Sequence, residues 1–312
     1  MAKGGASRPL PWYQGPKLNP FVFPEGIFGP RIRFLGLIRG SARGETHRVD
    51  IDGQEYDLTV FKFYRWSDLV ESTYFEQCPD QTIKDVIAQS DPFHCECRAY
   101  GRLKETNSEH LAIKCYGYII LNDDEEAQLL KASSSDWARP MGQKSQGIRA
   151  VAKECLPYNA DLEYHMLPQI RRDMLDMHKI GICVYNLSKE SYIQGKVADL
   201  SEAMVVPHRD LDLSSNGLTA KRNCQRDFIN MDAIVDEWNT RHPKDTYNGF
   251  FTPAPHQQGR NVQWLANRLF SGSSKHVTAA EYDWKQAANA RRTLAIALQR
   301  DGDGSRKRPR GS

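Results

Sequence analysis

At 312 residues, with 40% hydrophobic and 26% charged side chains, the chain has an ordinary globular make-up and suits one large domain or two small lobes. No run approaches the ~18 apolar residues of a membrane span, and the opening MAKGGASRPLPWYQGP lacks the apolar core of a secretory signal. The net charge of +3 hides an uneven distribution: residues 291–312 hold seven Lys/Arg against Asp301 and Asp303, so the rest is slightly acidic and a broad nucleic-acid-binding face is not indicated.

The seven cysteines are scattered and odd in number, which suggests reduced thiols in the nucleus or cytosol rather than a disulfide framework. Residues 1–30, rich in Gly and Pro, read as a leader with little regular structure. RIRFLGLI predicts a strand, RGSARGE a loop and THRVDI a second strand. Asp52-Gly53 is a hairpin signal, and EYDLTVFKF is the third strand of a meander. Residues 65–90 read as a loop with a helix.

DPFHCECRAYGRLKE predicts a helix with Asp91 at the N-cap and Pro92 in the first turn. LAIKCYGYIIL and IRAVAKECLP predict two more strands, separated by a loop over 122–147. HMLPQIRRDMLDMHKIG has helical apolar spacing at Met166, Ile170, Met174 and Met177. Residues 182–201 read as a loop and hairpin, 225–239 and 279–300 as amphipathic helices, and 301–312 as a basic, disordered tail.

Five strands with a helix after the third, then a hinge and a helical half, is the order of a two-lobed, α+β protein-kinase-like fold. Fold alone does not give function, so the argument rests on the places where such a fold handles ATP. In the loop between the first two strands, the Gly-x-Gly-x-x-Gly positions fall on Arg39, Ser41 and Gly44, so one glycine of three remains in register. The ion-pairing lysine of the third strand is replaced by Thr59; Lys62 points to the opposite face. The helix carboxylate is Glu96, left with Arg98, Arg102 or no nameable partner. A metal reading of His94, Cys95 and Cys97 lacks a second Cys/His cluster at zinc spacing. Glu154 and Leu156, beside the hinge, complete the expected cleft.

The catalytic loop is degraded too. Asn186 stands at the base position, and an amide holds a hydroxyl but does not accept its proton. Ser191 stands at the second metal-ligand position, where it is a weaker and shorter ligand than a carboxamide. Asp199, after the apolar Val197-Ala198, is the metal-ligand candidate that survives; its plainer reading is a turn Asp.

The segments PKLNPF, FLGLI, RVDIDGQEYDLTVFKF, DPFHCECRAYGRL, CYGYIIL, GKVADLSEAMVVPH and DAIVDEWN together resemble a fungal protein-kinase-like family of kinetochore Sim-complex subunits of the Fta type, over residues 16–240. The resemblance implies a kinase-like fold, a nuclear setting and kinetochore association. Family members often carry Lys at the position of Thr59 and Asp at or near Asn186, and this chain departs at both. The expectation is an inactive binding scaffold with a leader at 1–30, an N-lobe and hinge at 31–157, a helical lobe at 158–300 and a tail at 301–312. Its partners would be other proteins, with nucleic acid bound only weakly through the tail and no membrane. The alternative is an atypical phosphotransferase that uses ATP and Mg²⁺ through Asp199, with a displaced lysine such as Lys62. Arg306-Lys307-Arg308-Pro309-Arg310 is compatible with nuclear import.

Overall fold

Residues 33–61 fold into three successive antiparallel strands, β1 (Arg33–Gly40), β2 (Gly44–Ile51) and β3 (Gln54–Phe61). The computed structural model describes residues 15–24, 31–64, 89–139, 146–158, 162–206, 208, 211, 218–244 and 246–247. Asp52 and Gly53 both have positive φ, the mirror-image turn whose twist matches the flanking strands, and Ile51 pairs with Gln54 across it. With β4 (Cys115–Ile120) and β5 (Arg149–Glu154) they form one antiparallel sheet in the order β1-β2-β3-β5-β4.

Strand alternation divides the core between the two sheet faces. Leu58, Val60, Ala150 and Ala152 pack on one face with Val49, Ile119 and Trp137. Phe61 and Val151 point to the other, where helix α1 (Pro92–Glu105) lies. Asp91 caps α1 by accepting from the Phe93 amide at 3.0 Å, as its sequence predicted. Every residue from Pro92 to Leu103 is buried, so α1 is a central helix rather than an amphipathic surface one.

The segment 122–147, expected as a loop, contains helix α2 (Asp123–Ala132). Its start is a capping box: the Asn122 side chain accepts from the Glu125 amide and the Glu125 carboxylate accepts from the Asn122 amide, both at 2.9 Å. Four acidic residues in the first turn favour the helix dipole and also hid the short apolar stripe. Residues 15–24, expected within the leader, lack regular structure but run along β4: Phe21 donates to the Tyr118 carbonyl at 2.8 Å, and Leu18 is buried.

The second half comprises helix α3 (Leu167–Lys179), the short pairs β6 (Ile182–Cys183) with β9 (Met204–Val205) and β7 (Tyr192–Ile193) with β8 (Lys196–Val197), and helix α4 (Leu218–Arg241). Helix α4 starts seven residues earlier than its apolar pattern indicated. Ile170, Met174 and Met177 of α3 join Phe228 and Val235 of α4 in the same core as α1. Two buried arginines of α1 lock the halves together. Arg98 donates to the Val205 carbonyl at 2.6 Å, and Arg102 to Ile180 at 2.7 Å and to Val206. The helix expected at 279–300, the basic tail and nearly all of 65–90 lie outside the described residues. Among the described residues no helix is long and apolar enough to cross a membrane.

Candidate functional site

The β1–β2 hairpin closes through Ser41–Arg43, with the Ser41 amide on the Gly44 carbonyl at 2.8 Å. Beneath it lies a cleft of about 280 Å³ between the sheet and the loops that follow α3. Arg39, Ser41, Gly44 and Thr59 line the sheet side. Asn186, Ser191 and Asp199 line the other. Seven residues spread over 161 positions of sequence thus meet in one place.

Three expected cleft residues do not line it. Glu154 follows Lys153 on β5, so alternation turns it to the opposite sheet face. Leu156 packs instead against Ile113, Ile193 and Ala198. Glu96 sits behind the cleft, fully buried on α1, and its partner corrects the sequence reading. It pairs with Lys153 of β5, also buried, while Arg98 and Arg102 donate to backbone carbonyls and Arg102 also pairs with Glu105. Lys153 pairs across the sheet with Asp57, while Thr59 pairs with Val151, so Lys153 and Thr59 share a face on adjacent strands. The Lys153 ammonium also donates to the Ala198 carbonyl at 2.8 Å, one residue before Asp199. Burial pushes the Glu96 carboxyl up to about 7, with Lys153 pulling against it. A lysine inside the apolar run of a central strand is rare unless paired, and that was the available signal in IRAVAKE.

The remaining cleft residues have local duties. Thr59 Oγ1 lies 3.3 Å from Thr46 Oγ1, a cross-strand hydroxyl pair. Gly44 is required by packing: a Cβ there would sit 2.1 Å from the Val60 carbonyl oxygen. Ser191 Oγ accepts from the Ser188 amide at 3.1 Å. Asn186 is exposed at the cleft mouth. Asp199 takes the plainer turn role, its Oδ1 accepting from the Ser201 amide at 3.0 Å, while its Oδ2 faces the cleft 3.7 Å from Arg39. Burial pushes the Asp199 carboxyl up, but Lys153 and Arg39 outweigh it and hold it below the usual carboxylate range.

Arg39 spans the cleft, reaching from Asp199 to the Glu190 carbonyl at 2.5 Å. Arg43 pairs with Glu202 beside it, so two arginines of one hairpin bind the loops below. A Mg²⁺ ion needs several oxygen ligands in a near-octahedral set. Here one carboxylate faces a guanidinium and the Ser191 hydroxyl is committed to a backbone amide, so these residues as arranged do not fit that ion.

Sequence reasoning missed Asp227 on α4. Its carboxylate accepts from the Val184 and Tyr185 amides at 2.9 and 2.6 Å, and from His178 Nε2 at 2.9 Å. Asn230 Nδ2 donates to the Tyr185 carbonyl at 2.9 Å. Tyr185 has φ +75°, a conformation that non-glycine residues adopt only when their surroundings enforce it, and α4 does so just ahead of Asn186. His94, Cys95 and Cys97, whose metal reading the sequence already disfavoured, pack within α1: Cys95 donates to the Gln89 carbonyl, and burial pushes its thiol up to about 12.

Fold and cleft define an α+β protein whose sheet and helical halves are joined by buried arginines and whose intervening cleft is crossed by ion pairs. Residues 6–204 match the family described as Kinetochore Sim4 complex subunit FTA2, and the chain belongs to that family. No curated protein matches it.

Proposed function

We propose that this protein is a catalytically inactive, protein-kinase-like scaffold that works in the nucleus at the kinetochore by binding other kinetochore proteins. The kinetochore half of the reading rests on family membership. The inactive, kinase-like half is carried by one observation: the carboxylate most suited to a metal is ion-paired with Arg39, while the neighbouring base position is Asn186. Loss of a positioned base alone costs about 10²–10⁴-fold in rate, and phosphoryl transfer depends on electrostatics throughout. The sheet, α1 and α3 follow the strand and helix order of that fold class, which supports the reading at the level of architecture.

The Lys153–Glu96 pair favours a second reading. It keeps a buried ammonium beside Asp199, supplied by the strand next to the expected one. On that reading the protein is an atypical ATP-dependent phosphotransferase, and Arg39 must leave Asp199 before a nucleotide with its metal can enter. It predicts that Arg39→Ala tightens ATP binding.

The test of the first reading is made in cells and in vitro together. A tagged full-length chain should colocalise with centromeres and co-purify with kinetochore proteins, and Asn186→Ala should do so equally well. Diffuse distribution would overturn the kinetochore half. ATP-dependent phosphorylation lost in Asp199→Ala would overturn the inactive half.

A further inference from the structure

Three residues far apart in sequence converge where α3, β6 and α4 meet. His178 lies in the last turn of α3, Cys183 in β6 and Cys224 on α4. Their donor atoms all lie within 4.8 Å of one another, and all three side chains are buried. Among the described residues it is the one group of His, Cys, Asp and Glu donors with metal-binding proximity. The two sulfurs are 3.0 Å apart and both thiols are free. That separation exceeds the ~2.05 Å of a disulfide bond. It falls short of the about 3.8 Å that two thiolates adopt on one zinc with ~2.3 Å bonds.

The surroundings point to a ligand. Asp227 Oδ2 lies 2.9 Å from His178 Nε2, giving the imidazole the outer carboxylate that metal-bound histidines use to fix ring and tautomer. The remaining valences of that carboxylate go to the Val184 and Tyr185 amides, so its position is set by the chain itself. Two sulfurs and one imidazole in a reduced, buried pocket suit Zn²⁺ better than harder cations, which prefer oxygen.

We propose that His178, Cys183 and Cys224 form a zinc site that ties α3, β6 and α4 together. Binding displaces the two thiol protons and draws the sulfurs apart, and a water enclosed with the metal completes the tetrahedron. The metal would fix the entrance to the loop that carries Asn186, whatever the cleft binds, so the proposal stands apart from the kinase-like reading.

The test uses the full chain, purified under reducing conditions without chelator and analysed for metals by mass spectrometry. About one zinc per chain is expected in the wild type and in Cys95→Ser, with a loss of roughly tenfold or more in Cys224→Ser. Because Cys224→Ser can fail on folding grounds, wild-type protein stripped of metal is also titrated with Co²⁺. A thiolate-to-cobalt absorption band that saturates at one equivalent supports the site. Wild-type protein that holds no zinc and develops no such band overturns it, as does zinc fully retained in Cys224→Ser. A Cys183–Cys224 disulfide in the freshly purified protein, seen as a mass two hydrogens lower and a linked peptide pair, overturns it as well.

Discussion

Lys153 shows how a single side chain redirects a site. The β3 pattern put Thr59 where a cation was expected, and the cation lies one strand over on the same sheet face. Removing one partner of a buried ion pair leaves an uncompensated charge. Lys153→Met should therefore cost about 3–5 kcal/mol in denaturant unfolding, whereas Lys62→Met should stay within about 0.5 kcal/mol. Equal effects of the two substitutions would refute the assignment. His94 supplies a pH signature. Burial holds its imidazole down to about 4, against an ordinary 6.5. The unfolded chain takes up the proton first, so this stability is complete above pH 6.5 and drains as pH falls towards 4. Relative to His94→Gln, the wild type should lose up to about 1.4 kcal/mol per pH unit across that window. Parallel stability profiles for the two proteins would contradict it. Residue identities at 39, 41, 44, 59, 186, 191 and 199 were legible because each sits at a fixed offset from a strand or turn. Lys153 and Asp227 were not, because their partners lie on other elements and no local pattern announces a long-range pair.

At the scale of elements, the sheet and α1 were readable because alternation, the Asp-Gly turn and the Asp-Pro cap are local signals. Helix α2 was not, since its acidic first turn and short apolar stripe resemble a solvated loop, yet its capping box was written in Asn122 and Glu125. Asn122→Ala should destabilise the protein by about 1 kcal/mol. The ECRAYGRL stretch, noted in sequence for its specificity, acquires a physical account. Glu96 meets Lys153, Arg98 and Arg102 hold carbonyls of the other half, and Gly101 lets the N-terminal segment pass. A Cβ on Gly101 would lie 2.6 Å from the Lys17 carbonyl carbon. Gly101→Ala should therefore cost about 1–3 kcal/mol and weaken hydrogen-exchange protection of the Phe21 amide, which bonds to β4. Unchanged protection there would mean the segment is held by other contacts.

The whole molecule is two halves sharing one core, with a cleft at the seam that Arg39 and Arg43 bridge. Membership of the Sim4-subunit family fits a protein kept for its surface, and the ion-paired cleft supports the proposal that its kinase-like frame no longer handles nucleotide. The chain order of strands and helices made the architecture legible in sequence, but the ion pairs across the seam were not, because they join residues more than 150 positions apart. A thermal-shift titration with ATP, with and without Mg²⁺, tests this account most directly. A ligand at 100 times its dissociation constant stabilises a protein by about 2.7 kcal/mol, a shift well within detection. The account predicts no shift at millimolar ATP; a Mg²⁺-dependent shift that Asp199→Ala abolishes would contradict it.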